Sequence, residues 1–483
     1  MTEPESAAQW HDGAEASAPG QPKRAAGRGA ADAMTGFSGS GRPAARNPIL
    51  RTSLAALTTA RNPILRSGLA VVAGLLACVA PASTAYASAP VAASAAPASA
   101  AGSSADTAAP AGLAGDAAAG LGVLSGTPYL PRPTGTHPVG TTALYLKDTS
   151  RPDPWVPTVE ARELMVSLWY PAKSEGRRRA RYMTQKESEL LLKDAKITSV
   201  PLDVLSKTRT NAYSDAKPAG RKHGLPLVVL SPGFSKPRST LTALAEDLAS
   251  RGYVVAAIDH TYESVATTFP DGRVTTCVPC EGDHDPSLFT KLSKSRAADV
   301  SYVLDQLIGP HATWKDASLI NPSRIAMAGH SAGGASTIAA MVKDSRLRAG
   351  IDIDGTTPPG ILDGELSRPF MFLGKPATYT PGSGNPAAAT WERDWKLLTG
   401  WKRWLLLTGA VHESFTDIVP LADQLGIDAG AKVPGVRSLE ITRRYVRAFF
   451  DQHLRNKPQT LLDEPSPRYP EVKLCSPDKN TCE

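Results

Sequence analysis

One stretch restricts what this chain can fold into more than any other. The apolar run Arg324-Ile325-Ala326-Met327-Ala328 leads into Gly329-His330-Ser331-Ala332-Gly333-Gly334, and Ala335-Ser336-Thr337-Ile338-Ala339-Ala340 follows. That order reads strand, tight turn, helix. A G-x-S-x-G turn between a strand and a helix is the nucleophile elbow, which lifts a serine hydroxyl above the sheet edge and leaves the next backbone N–H facing the same space. Glycines two before and two after the serine, Gly329 and Gly333, let backbones pass at close quarters. By itself the pattern is common and could be a glycine-rich turn of no consequence. Its weight depends on the flanking elements and on partners further along the chain.

The flanking elements repeat. Residues 142–146 and 163–170 read as an early strand pair, the second ending at Pro171. Runs at 225–230, 253–259, 324–328, 347–354, 369–373 and 403–407 are apolar almost throughout. Helical stretches fall between or after them, at 240–250, 297–307, 391–397 and 439–454. Strands apolar on both faces, alternating with helices, describe a mostly parallel sheet covered on both sides. The expectation is an α/β-hydrolase fold with an eight-stranded sheet. A polar stretch from 173 to 224 and a loop at 263–295 interrupt the alternation.

Not all 483 residues belong to that pattern. Residues 1–125 are dominated by Ala, Ser, Gly and Pro, and a globular composition begins only near Pro128. The expected division is an N-terminal extension with signal peptide at 1–89, a disordered Ala/Ser/Gly spacer at 90–125, and a catalytic domain at 126–483. Arg61 and Arg66 precede an uncharged run from Leu69 to Ala80, and small-x-small sites follow at Ala85-Tyr86-Ala87 and Ala87-Ser88-Ala89. This reads as an export signal cleaved near Ala87 or Ala89, too short to span a bilayer. In the rival route, Leu75-Leu76-Ala77-Cys78 is a lipoprotein box and Cys78 carries the anchor.

Of the net charge of +7, +3 lies before Ala89 and +4 after it, so nothing in the sequence gathers a basic face of the kind nucleic-acid binding needs. Arg177-Arg178-Arg179-Ala180-Arg181 is the one local cluster, read as a solvated loop in preference to a contact with anionic lipid. Four cysteines remain after the signal: Cys277, Cys280, Cys475 and Cys482. Export favours disulfides, and local pairing of Cys277 with Cys280 and of Cys475 with Cys482 is preferred among the three possible connectivities. A zinc site from Cys277, Cys280 and His284 is the rival. It lacks a second ligand pair at zinc spacing, and no metal or cofactor is expected.

An ester-cleaving serine needs a base, a group that orients the base, and N–H donors for the oxyanion. Open α/β sheets place such groups at the carboxyl ends of strands. Of nine histidines, His260 and His412 follow strand ends. Only His412 comes after Ser331, as the order Ser, acid, His requires, so His260 is read as a supporting or packing residue. Asp354 ends a strand between them, with Asp352 the reserve. The oxyanion donors expected are the N–H groups of Ala332 and of Phe234, in the loop Ser231-Pro232-Gly233-Phe234 after the third strand.

With these pieces in place the chain resembles the platelet-activating-factor acetylhydrolase family (plasma and intracellular type II) and related bacterial esterases and lipases. The resemblance rests on 227–234, 248–257, Gly329–Gly334, Gly350–Asp354 and Gly409-Ala410-Val411-His412, spread over roughly residues 128–455. It implies a nucleophile at Ser331, an acid at Asp354, a base at His412 and donors at Phe234 and Ala332, the same residues reached from spacing. It also implies short or oxidised acyl esters of phospholipids as substrates, with transient contact with lipid surfaces. The chain departs from the family in having Pro232-Gly233 where His-Gly is common, and in its cysteine-bearing insert and tail. The expected protein is a secreted serine carboxylic-ester hydrolase. A broad lipase or cutinase-like polyester hydrolase is the alternative within enzymes. A non-catalytic binding protein on the same fold is the alternative outside them, and intact Ser331, Asp354 and His412 argue against it.

Overall fold

A computed structural model describes residues 126–281 and 287–483. The extension, signal, Cys78 and spacer read at 1–125 lie outside the described residues, as does His284.

In chain order the strands are β1 (Val139–Asp148), β2 (Arg162–Pro171), β3 (Arg179–Arg181), β4 (Arg209–Ser214), β5 (Leu225–Ser231), β6 (Val254–His260), β7 (Thr267–Thr268), β8 (Val274–Thr275), β9 (Ile320–His330), β10 (Leu347–Ile353), β11 (Phe370–Gly374), β12 (Lys402–Leu407), β13 (Val472–Ser476) and β14 (Thr481–Cys482). The helices are α1 (Gln185–Asp194), α2 (Thr242–Ser250), α3 (Leu288–Ile308), α4 (Ala332–Lys343), α5 (Pro376–Tyr379), α6 (Pro386–Leu397), α7 (Ile418–Gln424) and α8 (Gly435–Arg455).

Twelve strands form one mixed sheet in the order β14-β13-β12-β11-β10-β9-β5-β6-β2-β1-β4-β3. All eight expected runs are in it, as the continuous block from β12 to β1. Six of them, from β12 to β6, are mutually parallel. β2 runs antiparallel to β6, and β1 antiparallel to β2 over ten residue pairs. This is an α/β-hydrolase fold with a larger sheet than the eight strands expected. The four additional strands extend the sheet at its margins, β4 and the edge strand β3 beyond β1, and β13 and the edge strand β14 beyond β12. β3 and β4 sit in the polar stretch at 173–224 that interrupts the alternation, and β13 and β14 close the tail. Strands at a sheet margin need no apolar pattern on both faces, so alternation does not reveal them. The Arg177–Arg181 cluster therefore lies partly on an edge strand, with the Arg179 guanidinium 4.8 Å from the Tyr213 ring centre.

The parallel strands are apolar on both faces because each face meets helices. Leu227, Val229, Val254, Ala256 and Met327 pack with Val300 and Leu304 of α3, Ile338 and Met341 of α4, and Trp391 of α6. Val228, Leu230, Val255, Ala257 and Ala328 pack on the other side with Leu244 and Leu248 of α2 and Tyr445, Phe449 and Phe450 of α8. Successive residues of one strand thus bury into opposite layers, the period-2 geometry of a pleated strand. Each large side chain so buried contributes about 1.5–3 kcal/mol. The sheet is thus packed on both faces, and the loops at the carboxyl ends of β5, β9, β10 and β12 leave from that packed core.

Cys277–Cys280 and Cys475–Cys482 are the two disulfides, the local pairing preferred from the sequence. Cys277 and Cys280 are therefore unavailable as thiolate ligands, and the zinc reading falls. Among the described residues no helix is long and apolar enough to cross a membrane.

Candidate active site

β9 ends at His330, and α4 begins at Ala332, so a single residue makes the turn between them. That residue, Ser331, sits at φ 57° and ψ −123°, a backbone region that side chains other than glycine rarely occupy. The strain persists because the turn is held from several sides. The Ser331 N–H donates to the Ile353 carbonyl at 2.8 Å, tying the elbow to β10. A Cβ on Gly329 would lie 2.1 Å from the Gly333 carbonyl carbon. One on Gly333 would lie 2.0 Å from the Ser231 carbonyl oxygen. Both expected glycines are thus required by backbone contact, which no rotamer change can relieve. Two more positions that the pattern did not single out are also crowded, Gly334 by a buried side chain and Gly355 by backbone. A Cβ on Gly334 would meet the Asp352 carboxylate at 1.9 Å, and one on Gly355 the Ser331 carbonyl oxygen at 2.3 Å.

Asp354 follows β10 with φ 54°, which turns its side chain out of the strand line. Its carboxylate is 2% exposed and fully used. One oxygen accepts the Lys375 backbone N–H at 2.8 Å, and the other accepts from His412 Nδ1 at 2.5 Å. The Lys375 ammonium lies 3.8 Å from the second oxygen. His412 opens a short 3-10 turn after β12, Gly409 having turned the chain at φ 79°. That turn is braced by the Ser414 hydroxyl, which accepts the Val411 N–H at 2.9 Å. With Nδ1–H given to Asp354, the neutral imidazole keeps Nε2 as a proton acceptor. The His412 side chain is 39% exposed, so this acceptor belongs to a surface-accessible site.

His330, the variable residue of the elbow, has a structural part. Its Nε2–H donates to the His412 carbonyl at 2.8 Å, and the two rings stand 4.5 Å apart. Burial, then the neighbouring His412 ring, pushes the His330 imidazole down to about 3, which leaves it neutral near neutral pH. It joins the segment carrying Ser331 to the one carrying His412 without adding a charge.

Asp352, the reserve acid, is bonded elsewhere, and the carboxylate on His412 is that of Asp354. Fully buried beneath the elbow, Asp352 accepts the Gly355 N–H at 2.9 Å, and burial holds its carboxyl well above the usual range. Of the residues expected to supply oxyanion donors, Ala332 follows the serine directly and Phe234 adjoins a neighbour of the elbow, Gly233. Ala332 is the first residue of α4, where backbone N–H groups have no intrahelical acceptor. Gly233, next to Phe234, lies so close to the elbow that a Cβ there would be 3.4 Å from Ser331 Cβ. The Phe234 ring stands edge-on to Phe289 at 5.8 Å, at the first turn of α3.

His260 belongs to a buried ionic cluster. Its Nδ1–H donates to Asp299 at 2.7 Å, and its Nε2 accepts from the Ser231 hydroxyl at 2.9 Å. Ser231, His260 and Asp299 repeat the residue types of a catalytic triad, but Ser231 is completely buried and out of a substrate's reach. The arginines of this cluster, Arg162 and Arg296, carried no signal in the sequence, where a charged residue on a strand or helix reads as solvent-facing. A cavity of about 510 Å³ lies elsewhere, between β1, β2 and the segments from 178 to 187 and 237 to 242; none of Ser331, Asp354 and His412 lines it.

Comparison with known proteins agrees with the fold. The family model described as platelet-activating factor acetylhydrolase, isoform II, matches residues 123–276 and 299–457. A probable 1-alkyl-2-acetylglycerophosphocholine esterase of Arthroderma benhamiae is 29% identical over 377 residues, covering 71% of this chain and 92% of that protein. The platelet-activating factor acetylhydrolase of Bos taurus is 25% identical over 327 residues, covering 60% of this chain and 69% of that one. Among solved structures, a ferulic acid esterase from Streptomyces cinnamoneus superposes with a TM-score of 0.64 at 41% identity, over 73% of this chain and all of the other. These relatives are esterases, and the homology makes this chain a hydrolase of the α/β-hydrolase esterase and lipase superfamily. Because the family model spans both the elbow and the segment bearing His412, the chain belongs to the platelet-activating factor acetylhydrolase, isoform II, family.

Proposed function

We propose that the protein is a serine carboxylic-ester hydrolase in which Ser331 is the nucleophile, His412 the base and Asp354 the group that orients and charge-stabilises the base. The observation that carries this reading is the 2.5 Å contact between His412 Nδ1 and a buried Asp354, beside a serine held at positive φ. His412 Nε2 takes the proton of Ser331 as Oγ attacks the ester carbonyl. The carbonyl oxygen gains a negative charge, which the N–H groups of Phe234 and Ala332 stabilise. The tetrahedral species collapses, His412 gives its proton to the departing alcohol, and the acyl group remains on Ser331. Water then enters, activated by the same histidine, and the acid leaves.

The substrate class proposed is esters with short acyl groups, including the short or oxidised sn-2 esters of phospholipids, which the names of the curated relatives support. A second reading, aromatic acyl esters of the ferulate type, is favoured by the 41% identity to the Streptomyces cinnamoneus esterase. Export of the protein and a catalytic domain covering 126–483 belong to the same proposal. Purified protein is to be assayed on p-nitrophenyl acetate, a 2-acetyl phospholipid and methyl ferulate, beside Ser331→Ala. Loss of all turnover in Ser331→Ala is expected, with the ranking of the two natural-type esters choosing between the substrate readings. Full activity in that variant would end the proposal.

A further inference from the structure

The oxyanion donor assigned to Phe234 is only as good as the orientation of the peptide that carries it. That peptide joins Gly233 to Phe234, and in a trans peptide the carbonyl and the N–H point in opposite directions. Whatever fixes the Gly233 carbonyl therefore aims the Phe234 N–H. Gly233 lies against the elbow and cannot rely on side-chain packing of its own, since it has none.

Arg296, on α3, reaches this loop from behind. Its side chain is 1% exposed, and its nitrogens address three consecutive residues. Nη1 donates to the Pro232 carbonyl at 2.5 Å and to the Ser231 hydroxyl at 3.2 Å, and Nη2 to the Gly233 carbonyl at 3.5 Å. The Lys236 backbone N–H also donates to the Gly233 carbonyl, at 3.3 Å. The guanidinium is anchored by Nε, which donates to Glu263 at 2.7 Å. Glu263 is itself held by Trp155 Nε1 at 2.8 Å and lies 3.5 Å from Arg162 Nη2. Its backbone carbonyl accepts the Ser235 N–H at 3.0 Å, so the loop is gripped on both sides of Phe234. The Ser231 hydroxyl completes the geometry: it accepts from Arg296 and donates to His260, whose other nitrogen is fixed by Asp299.

A buried guanidinium costs several kcal/mol in desolvation, and a buried ion pair often adds nothing to stability over an apolar replacement. Its planar fork suits several acceptors held at fixed angles, which an ammonium cannot match. We propose that Arg296 is a positioning residue for the oxyanion hole: by holding the Pro232 and Gly233 carbonyls, it fixes the Gly233–Phe234 peptide with its N–H toward the reacting carbonyl. The inference rests on the reading of Ser331 as nucleophile and Phe234 as donor.

The test compares wild type with Arg296→Lys, which keeps the charge opposite Glu263 but loses the fork. Turnover of p-nitrophenyl acetate, normalised to folded protein, is measured beside inhibition by a trifluoromethyl ketone, which forms a tetrahedral oxyanion on the serine. Loss of one oxyanion donor lowers kcat by about 100- to 1000-fold. A donor misaimed but present should lower it by about 100-fold, with KM little changed and ketone affinity falling by a similar factor. Unchanged kcat and ketone affinity would overturn the proposal. A fall in kcat with full ketone affinity would overturn it too, because the hole would then be intact. If Arg296→Lys does not fold, Glu263→Gln loosens the anchor with an isosteric, neutral acceptor. The proposal then requires parallel, smaller losses in kcat and ketone affinity, and no loss in either refutes it. Activity retained in Ser331→Ala separates the two failures, because it defeats the site reading whatever the Arg296 variants do.

Discussion

Replacing Asp354 by Asn tests the tautomer on which the proposed chemistry depends. The two carboxylate oxygens have different partners: the Lys375 N–H at 2.8 Å and His412 Nδ1 at 2.5 Å. Asparagine has the same shape but only one oxygen. The Lys375 N–H is a fixed backbone donor and claims that oxygen, which leaves the amide NH₂ facing His412. Nδ1 must then act as acceptor, the ring proton moves to Nε2, and the nitrogen that should take the serine proton is already protonated. The side chain remains buried and bonded at both ends, so folding is little affected. A swap of this kind, with the geometry intact and the tautomer reversed, costs about 10⁴ in kcat, or about 5.4 kcal/mol of transition-state stabilisation. Turnover of p-nitrophenyl acetate per folded chain, with thermal unfolding as control, reads the effect. An Asp354→Asn protein with an unchanged unfolding midpoint and less than a tenfold loss of kcat would refute this account of Asp354.

Further outcomes follow from the same contacts. Gly329→Ala places a methyl 2.1 Å from the Gly333 backbone, so the elbow must shift; a stability loss of about 1–3 kcal/mol in urea unfolding, with loss of esterase activity, is expected, and a silent substitution would contradict the packing described. His453 packs beside both Trp401 and Phe449, with ring centres 4.5 and 4.7 Å away, and burial followed by the Arg403 charge pushes it down to about 4. The unfolded chain then binds the proton more readily, so stability is present above about pH 6.5 and is lost as pH falls toward 4. His453→Phe should flatten the stability–pH slope in that window, and an unaltered slope would show that this ring does not supply it. Double replacement of Cys475 and Cys482 by Ser should release the β13–β14 hairpin, seen as faster amide exchange at residues 472–482, and leave kcat unchanged because the hairpin touches none of the proposed catalytic groups.

The features legible in the sequence were those that one local rule decides. The β5, β6, β9, β10, β11 and β12 runs are apolar on both faces because each lies between two helical layers. The elbow is legible because its glycines are imposed by backbone contact. Asp354 was separable from Asp352 because it ends the strand, and the observed contact to His412 falls on that residue. Features that depend on distant partners were hidden. β3 and β14 are the two edge strands and β4 and β13 lie next to them, at the margins of the sheet where part of each strand is exposed and tolerates polar residues. The helix read at 297–307 begins nine residues earlier, at Leu288, because its first turns are mostly polar and partly exposed and so carry little apolar period. Arg296 and Glu263 are 33 residues apart, and only the fold shows that their charges meet behind the oxyanion loop.

The most direct measurement is the site of covalent modification. The wild-type protein and His412→Ala are to be treated with a fluorophosphonate and mapped by peptide mass spectrometry, with the rate of labelling followed in parallel. The account predicts one adduct per chain, on Ser331, forming rapidly in the wild type and hardly at all in His412→Ala. An adduct on another residue, or labelling of Ser331 that does not depend on His412, would contradict it.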